Sequence, residues 1–161
     1  MNEIIYKAFE PGPDDWQYIQ ELANYCEGEQ MLPITQAKII SNKLGLVALD
    51  GDKIVGYIAQ TALYNGSTAE IGSLIVHPQY RKQGIANELI RIDTTRIIMS
   101  GVESLIAFCN PNSAPIFIGR GFKLVSLCSL PTDSLLACTG CPKKEKLIGS
   151  ICCDRAYMFA D

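Results

Sequence analysis

The sequence predicts an α/β domain in which strands and helices alternate along the chain. Short apolar runs bounded by turn residues indicate strands, and longer segments with apolar residues at helical spacing indicate helices. The resulting order is β-α-α-β-β-β-α-β-α-β-β. At 161 residues, the chain has the length of one domain with a substantial core, and we expect residues 1–161 to form a single domain.

Composition excludes several classes of protein. Apolar residues make up 48% of the chain and charged residues 19%, which is typical of a globular protein. A net charge of −3 argues against nonspecific binding of nucleic acid. No apolar run approaches the ~20 residues of a membrane span, and Met1-Asn2-Glu3 lacks the basic start of a signal peptide. We therefore expect a cytoplasmic protein without a membrane or nucleic-acid partner.

The first half of the chain predicts two helices among four strands. Asp14 or Asp15 is expected to cap a helix that runs toward Cys26, with Trp16, Ile19 and Ala23 at helical spacing. Thr35 is expected to cap a second helix, with Ala37, Ile40 and Leu44 on one face and Gly45 ending it. The strands, separated by turns at residues 50–52 and 65–66, are Ile4–Phe9, Leu46–Leu49, Ile54–Leu63 and Thr68–Val76.

The second half begins with a helix expected over residues 85–99. Its apolar face is formed by Ile85, Leu89, Ile92 and Met99, and Gly101 ends it. The remaining predicted elements are the strand Leu105–Cys109, the helix Asn112–Ile118, and the strands Phe122–Leu127 and Arg155–Phe159.

A basic turn, residues 81–86 with the sequence Arg-Lys-Gln-Gly-Ile-Ala, joins the strand ending at Val76 to the long helix. Backbone N–H groups at a helix N-terminus form an anion site. Gly84 allows close approach of the backbone, while Arg81 and Lys82 add positive charge. This combination predicts binding of a phosphorylated cofactor.

The turn resembles the pyrophosphate loop of the GNAT N-acetyltransferase superfamily, Q/R-x-x-G-x-G/A, with Arg81, Gly84 and Ala86 at the defining positions. The preceding Ile-Val-His-Pro, residues 75–78, is in register with the family pattern. The resemblance implies a GNAT fold: a mixed, mostly antiparallel central sheet of about seven strands, splayed in the middle and flanked by about four helices. It also implies an acyltransferase that uses acetyl-CoA as co-substrate.

The resemblance implies specific cofactor contacts. The main chain of Leu74, Ile75 and Val76 would pair with the pantetheine arm, whose amides are spaced like those of a peptide. An alternative is that these three residues are simply core strand residues. The pyrophosphate would be held by Arg81, Lys82, Gln83, Gly84, Ile85, Ala86 and Asn87.

Glu70 is the candidate catalytic residue. By strand periodicity it shares a face with Leu74 and Val76, and apolar neighbours would raise the pKa of its carboxyl and suit it to act as a general base. Ala-Glu-Ile at this position also resembles the histone-acetylating branch of the superfamily. A solvent-facing strand acid is the alternative.

A second motif resembles the family pattern N-x-x-A/S-x-x-L-Y-x-x-x-G-F. Asn110 takes the cofactor-contacting position and Ser113 the small-residue position, and Asn112 and Ser113 can either contact the cofactor or cap the helix. Phe117 stands where the family has a tyrosine that protonates the departing thiolate, and it has no proton to give. A water, Tyr80 or Tyr64 is a candidate replacement. His77, the one histidine, is expected to be structural or exposed.

The seven cysteines are expected to be free or metal-bound in a reducing compartment. Four of them form a Cys-rich insertion near residues 138–153: Cys138, Cys141, Cys152 and Cys153. The C-x-x-C pair suits zinc, but adjacent cysteines rarely bind one metal. Zinc is therefore possible but less favoured, and no metal ligand is assigned. A redox dithiol and buried free thiols are the alternatives.

The leading hypothesis is an enzyme that transfers an acetyl group from acetyl-CoA to a primary amine of a small molecule or peptide by direct attack. The alternatives are an acyl-CoA-binding protein with weak catalysis, suggested by Phe117, and a scaffold whose cysteines bind metal or sense redox state. A homodimer is possible, since dimers are common in the family that the chain resembles.

Overall fold

The computed structural model describes residues 3–12, 14–26, 34–136 and 155–160. The strands are β1 (Ile4–Phe9), β2 (Lys43–Asp50), β3 (Lys53–Tyr64), β4 (Thr68–Val76), β5 (Ser104–Cys109), β6 (Lys123–Leu124) and β7 (Arg155–Ala160). The α-helices are α1 (Trp16–Asn24), α2 (Gln36–Ser41), α3 (Ile85–Met99), α4 (Ala114–Gly119) and α5 (Thr132–Leu136), and short 3₁₀ helices lie at Pro78–Tyr80 and Leu127–Ser129.

The described strands form one seven-stranded sheet in the order β1-β2-β3-β4-β5-β7-β6. Neighbouring strands are antiparallel except β4 and β5, which are parallel. A parallel pair needs a crossover connection, and α3 lies in that connection between β4 and β5. The expected mixed, mostly antiparallel sheet is therefore confirmed.

The sheet is split in its middle. Strands β4 and β5 pair at only three positions, Thr68 with Ser104, Ala69 with Leu105 and Glu70 with Ile106. Beyond Glu70, β4 stays paired with β3, while β5 pairs with β7 along its whole length. The opening between residues 71–76 of β4 and residues 107–109 of β5 is called the wedge below.

Two apolar layers cover the sheet. Helices α3 and α4 pack on one face, where Leu89, Ile97 and Phe117 join residues of β2 to β5. Helices α1 and α2 pack on the other face, where Ile19 and Ile39 are fully buried. Each helix buries one apolar stripe, as expected for a sheet covered on both sides.

The second helix differs from its prediction, although Thr35 does cap it by accepting a hydrogen bond from the Lys38 amide. It ends at Ser41, and its buried residue is Ile39 rather than Ala37 or Ile40. Leu44 and Gly45 belong to β2. Gly45 allows β1 to approach β2 closely, because a Cβ at this position would lie 2.5 Å from the Phe9 carbonyl oxygen.

The second half differs in three further details. Met99 is 82% exposed, so it does not belong to the packed face of α3. The predicted strand over residues 122–127 shrinks to the two residues of β6, and the short helix α5 was not predicted.

The four cysteines of the Cys-rich insertion lie outside the described residues, and the single-domain organisation stays a prediction. In the part of the chain that the structure describes, no helix combines the length and apolarity that crossing a bilayer requires.

Asp93 on α3 is fully buried, with Arg96 of the same helix 3.5 Å away. Its Oδ2 atom has no hydrogen-bond partner within the described ranges. Burial raises the pKa of Asp93 to about 7, against a weaker opposing effect of Arg96. Burying a carboxylate is costly when one of its oxygens has no hydrogen bond, so below about pH 7 the folded chain favours the protonated acid.

We expect this carboxyl to make stability depend on pH. Above its unfolded pKa near 3.8 the unfolded chain loses the proton that the folded chain keeps, so the free energy of unfolding falls as pH rises to about 7 and then levels off. The loss is roughly 4 kcal/mol at most. Asp93→Asn should flatten this dependence in denaturant titrations between pH 4 and 7. Asp14→Asn, at an exposed position, should keep it.

Candidate active site

The basic turn follows the end of β4 directly. His77 caps the 3₁₀ helix Pro78–Tyr80, and α3 begins at Ile85. Lys82 and Gly84 both have left-handed backbones, with φ of 61° and 83°. Such turns can present successive N–H groups to an anion, and the 15-residue helix α3 adds its partial positive charge.

Gly84 borders open space. A Cβ built on it would meet no atom within 4 Å. The glycine is therefore required by its positive φ and not by crowding from the protein. The open space above it leaves room for a ligand to approach the backbone.

A cavity of about 490 Å³ lies at the open end of the wedge, bounded by β4, the basic turn and the start of α4. Eleven of the predicted cofactor-binding residues line it: Leu74, Ile75, Val76, Arg81, Lys82, Gly84, Ile85, Ala86, Asn87, Asn110 and Ser113. Gln83 is not among the lining residues, because its side chain turns back and donates to the Gln79 carbonyl at 3.2 Å. The structure thus brings together residues from three separate segments of the sequence.

Three lining residues were not predicted from sequence to contact the cofactor: Cys26, Tyr80 and Ile116. Asn112, for which cofactor contact and helix capping were both open, also lines the cavity. Cys26 follows α1 and reaches the cavity only because α1 packs across the sheet, so no local pattern could have indicated it. A larger depression of about 810 Å³ lies between α1 and strands β1 and β2. It contains none of the predicted site residues and lies away from the wedge.

Arg81 braces the turn as well as lining the cavity. Its Nε donates to the Val76 carbonyl at 3.1 Å, and its Nη2 lies 3.2 Å from the Cys26 sulfur. The side chain therefore ties the basic turn to the ends of β4 and α1. Its predicted contact with phosphate stays a prediction.

Asn110 and Ser113 shape the start of α4. The Asn110 Oδ1 accepts from the Asn112 and Ser113 amides at 3.0 and 2.9 Å. This bonding is typical of an Asx turn at a helix start. Both residues also border the cavity, so capping and cofactor contact are compatible.

Phe117 is buried and packs edge-to-face on Phe122, with ring centroids 5.1 Å apart. It offers no hydroxyl to the cavity. The Tyr80 hydroxyl donates to Asp50 at 2.7 Å, and this bond is the main reason that the pKa of Tyr80 is raised. The Tyr64 hydroxyl donates to Glu70.

His77 is buried rather than exposed, with its ring against Tyr25 and Tyr80. Its Nδ1 accepts from the Gln79 amide at 3.3 Å. Burial, followed by the charges of Lys53 and Arg81, lowers the pKa of His77. These contacts support its structural interpretation.

Glu70 lies at the closed end of the wedge, in the last residue pair of β4 and β5. Its carboxylate accepts hydrogen bonds from the Thr61 and Tyr64 hydroxyls. The expected apolar surroundings are therefore replaced by two polar neighbours. Glu70 is not among the residues that line the cavity.

The prediction that Glu70 shares a strand face with Leu74 and Val76 is wrong. Leu74 and Val76 pack with Ala69 and Ile71 in the α3 layer, whereas Ile75 packs in the α1 layer. Strand alternation places Glu70 opposite Ala69 and Ile71. A bulge with Ser73 at φ 53° inserts one residue and exchanges the two faces of β4 between Gly72 and Leu74.

Comparison with known proteins gives a family match. A family model described as an acetyltransferase (GNAT) domain matches residues 17–128, well over half of the chain. A search of curated protein sequences finds no match.

Several solved structures share the fold. An acetyltransferase from Streptococcus agalactiae aligns with a TM-score of 0.74 and 20% identity over 98% of both chains. N-acetylglutamate synthase from Neisseria gonorrhoeae, complexed with coenzyme A and N-acetyl-glutamate, aligns with a TM-score of 0.75 and 18% identity over 99% of this chain. This chain spans only 36% of that synthase. The ribosomal-protein-S18-alanine N-acetyltransferase from Escherichia coli aligns at 0.62 and 15% identity, over 76% of this chain and 80% of that one.

We expect Gly84→Glu to weaken binding of coenzyme A at least about 100-fold, which corresponds to ~2.7 kcal/mol. The new carboxylate would enter the open space above the turn and repel phosphate. Isothermal titration calorimetry with coenzyme A measures the effect.

Gly101→Glu is the matched control, since Gly101 also has a positive φ, 93°, and open space around it. It should carry similar backbone strain and added charge but bind coenzyme A as the wild type does. Equal affinity of all three proteins would contradict the cofactor assignment.

Proposed function

We propose, on the premise that this chain belongs to the GNAT acetyltransferase family, that it transfers an acetyl group from acetyl-CoA to a primary amine of a small molecule or peptide. The observation that carries the proposal is the wedge, with the cavity and basic turn at its open end and Glu70 at its closed end. The family does not itself select an acceptor.

The residues around the cavity suit coenzyme A. The basic turn and the N-terminus of α3 would hold the pyrophosphate, because left-handed Lys82 and Gly84 and the open space above Gly84 suit an anion. Leu74, Ile75 and Val76 would hold the pantetheine arm through main-chain groups at the edge of β4 that faces away from β3. The arm would then run along the wedge toward its closed end.

When bound, acetyl-CoA supplies an activated acyl carbon, so that the new C–N bond forms as the C–S bond breaks. Binding beside the wedge brings the two reactants together. N–H groups of β4 that face the wedge would polarise the carbonyl oxygen. Glu70 would accept the proton that the attacking amine must lose.

Phe117 occupies the position of the family's proton-donating tyrosine, so no hydroxyl is present there. The thiolate is nevertheless a good leaving group, since a thiol has a pKa of only about 8.5. Transfer therefore does not require a tyrosine at position 117. The buried phenylalanine does favour one second candidate, an acyl-CoA-binding protein with little turnover.

A panel of amines distinguishes the two candidates. Solved neighbours include an aminoglycoside 6'-N-acetyltransferase, the S18-alanine enzyme and the glutamate enzyme. The panel should therefore contain an aminoglycoside, a peptide with N-terminal alanine, L-glutamate and a polyamine. Product formation should be followed by chromatography, because thiol reagents would also react with accessible cysteines of the chain such as the exposed Cys128.

We expect at least one amine to raise acetyl-CoA consumption above hydrolysis, and Glu70→Gln to lower kcat for that amine about 100-fold or more. Glu103→Gln, at the exposed position immediately before β5, should leave kcat unchanged. Tight binding of coenzyme A without transfer to any amine would favour the binding protein instead.

A further inference from the structure

A second irregularity in the sheet places Thr61 beside Glu70. Along β3 and β4, Gln60 pairs with Ile71 and Ala62 pairs with Glu70, so Thr61 is an extra residue in β3. Bulges of this kind re-aim a side chain and are common beside active sites. The Thr61 hydroxyl donates to Glu70 Oε1 at 2.8 Å.

Tyr64 reaches the same carboxylate from farther along β3. Ala62 is the cross-strand partner of Glu70, and Tyr64, two residues later, lies on the same face. Its hydroxyl donates to Glu70 Oε2. Each carboxylate oxygen therefore accepts one bond from a hydroxyl of β3, which fixes both the position and the rotation of the carboxylate.

Gly72 makes room for this arrangement. A Cβ at position 72 would lie 3.2 Å from Thr61 Cγ2 and 3.4 Å from Thr61 Oγ1. The first distance is tighter than an ordinary carbon–carbon contact, so a larger residue would force Thr61 to shift by a few tenths of an ångström. Three positions, 61, 64 and 72, thus act on one carboxylate.

The fixed carboxylate retains lone pairs for a further donor, because an ionised carboxylate offers about four acceptor sites and the two hydroxyls use two of them. On the same face, Ile106 of β5 lies beside Glu70 and packs with Leu130, Tyr64 and Phe108. The carboxylate is therefore held by β3 from one side and bordered by an apolar surface on the other.

We propose that Thr61 and Tyr64 are positioning residues that hold the carboxylate of Glu70 toward the acceptor nitrogen. This inference rests on the proposed function, in which Glu70 accepts the proton of the amine. Neither residue lines the cofactor cavity, so we expect loss of either hydroxyl to leave the binding of acetyl-CoA unchanged. Correct orientation of a base contributes to rate because proton transfer requires hydrogen-bond geometry.

Variants that remove a hydroxyl and keep the shape test the proposal. Thr61→Val and Tyr64→Phe should each lower kcat about tenfold for the amine selected from the panel, with the KM for acetyl-CoA unchanged. Thr61→Ser keeps the hydroxyl and should restore most of the rate. Tyr18→Phe, at an exposed position on α1, is the matched control for loss of a tyrosine hydroxyl and should keep the wild-type kcat.

Combining Tyr64→Phe with Glu70→Gln distinguishes a positioning role of Tyr64 from a general structural effect. If Thr61 and Tyr64 act through Glu70, then Tyr64→Phe should cause no further fall in kcat once Glu70 is glutamine. A merely structural role would lower kcat again by the same factor. Thermal denaturation of each variant, compared with the wild type, shows whether the fold is kept.

The outcomes distinguish the inference from the proposed function. If Glu70→Gln lowers kcat but Thr61→Val and Tyr64→Phe do not, the positioning role is overturned and the base assignment stands. If Glu70→Gln keeps the wild-type kcat, or no amine is acetylated, the proposed role of Glu70 fails and the inference fails with it. A fall in kcat with non-additivity and rescue by serine supports both.

Discussion

The short parallel pairing of β4 with β5 places every part of the candidate site. The pairing ends at Glu70 and Ile106, and from there each strand continues with a different partner. Main-chain groups of β4 beyond Glu70 consequently face the wedge rather than β5, although the Val76 carbonyl is already bonded by Arg81. The same separation leads β4 to the basic turn and β5 to Asn110, so both borders of the cavity follow from it.

Bulges in β4 and β3 change which side chains face the candidate site beside this opening. The left-handed backbone of Ser73 is unfavourable for a residue with a side chain, at a cost of about 1–2 kcal/mol. It persists because pairing with β3 holds the strand on both sides of the bulge, at Gly72 and Ile75. The bulge turns Leu74 and Val76 into the α3 layer, and the bulge at Thr61 turns a hydroxyl toward Glu70.

Several parts of the site could be predicted because their signals are local. The basic turn lies within one strand–turn–helix unit, and its glycine, its basic residues and the following apolar spacing are contiguous in sequence. The absence of a hydroxyl at Phe117 could likewise be recognised from one motif. The surroundings of Glu70 could not, because period-2 alternation fails at a bulge. Gly72 is compatible with a bulge but does not identify Ser73 as the extra residue.

The chain alone was sufficient to establish the family resemblance, most element boundaries and the residues of the basic turn, because helical spacing, strand alternation and glycine turns depend on neighbours in sequence. Packing decided the rest. Cys26 reaches the cavity across the sheet, Gly45 is required by the approach of β1, and Thr61 and Tyr64 meet Glu70 through strand register. The residues in each of these contacts are brought together by strand pairing and helix packing. A local stretch of sequence does not indicate such long-range contacts.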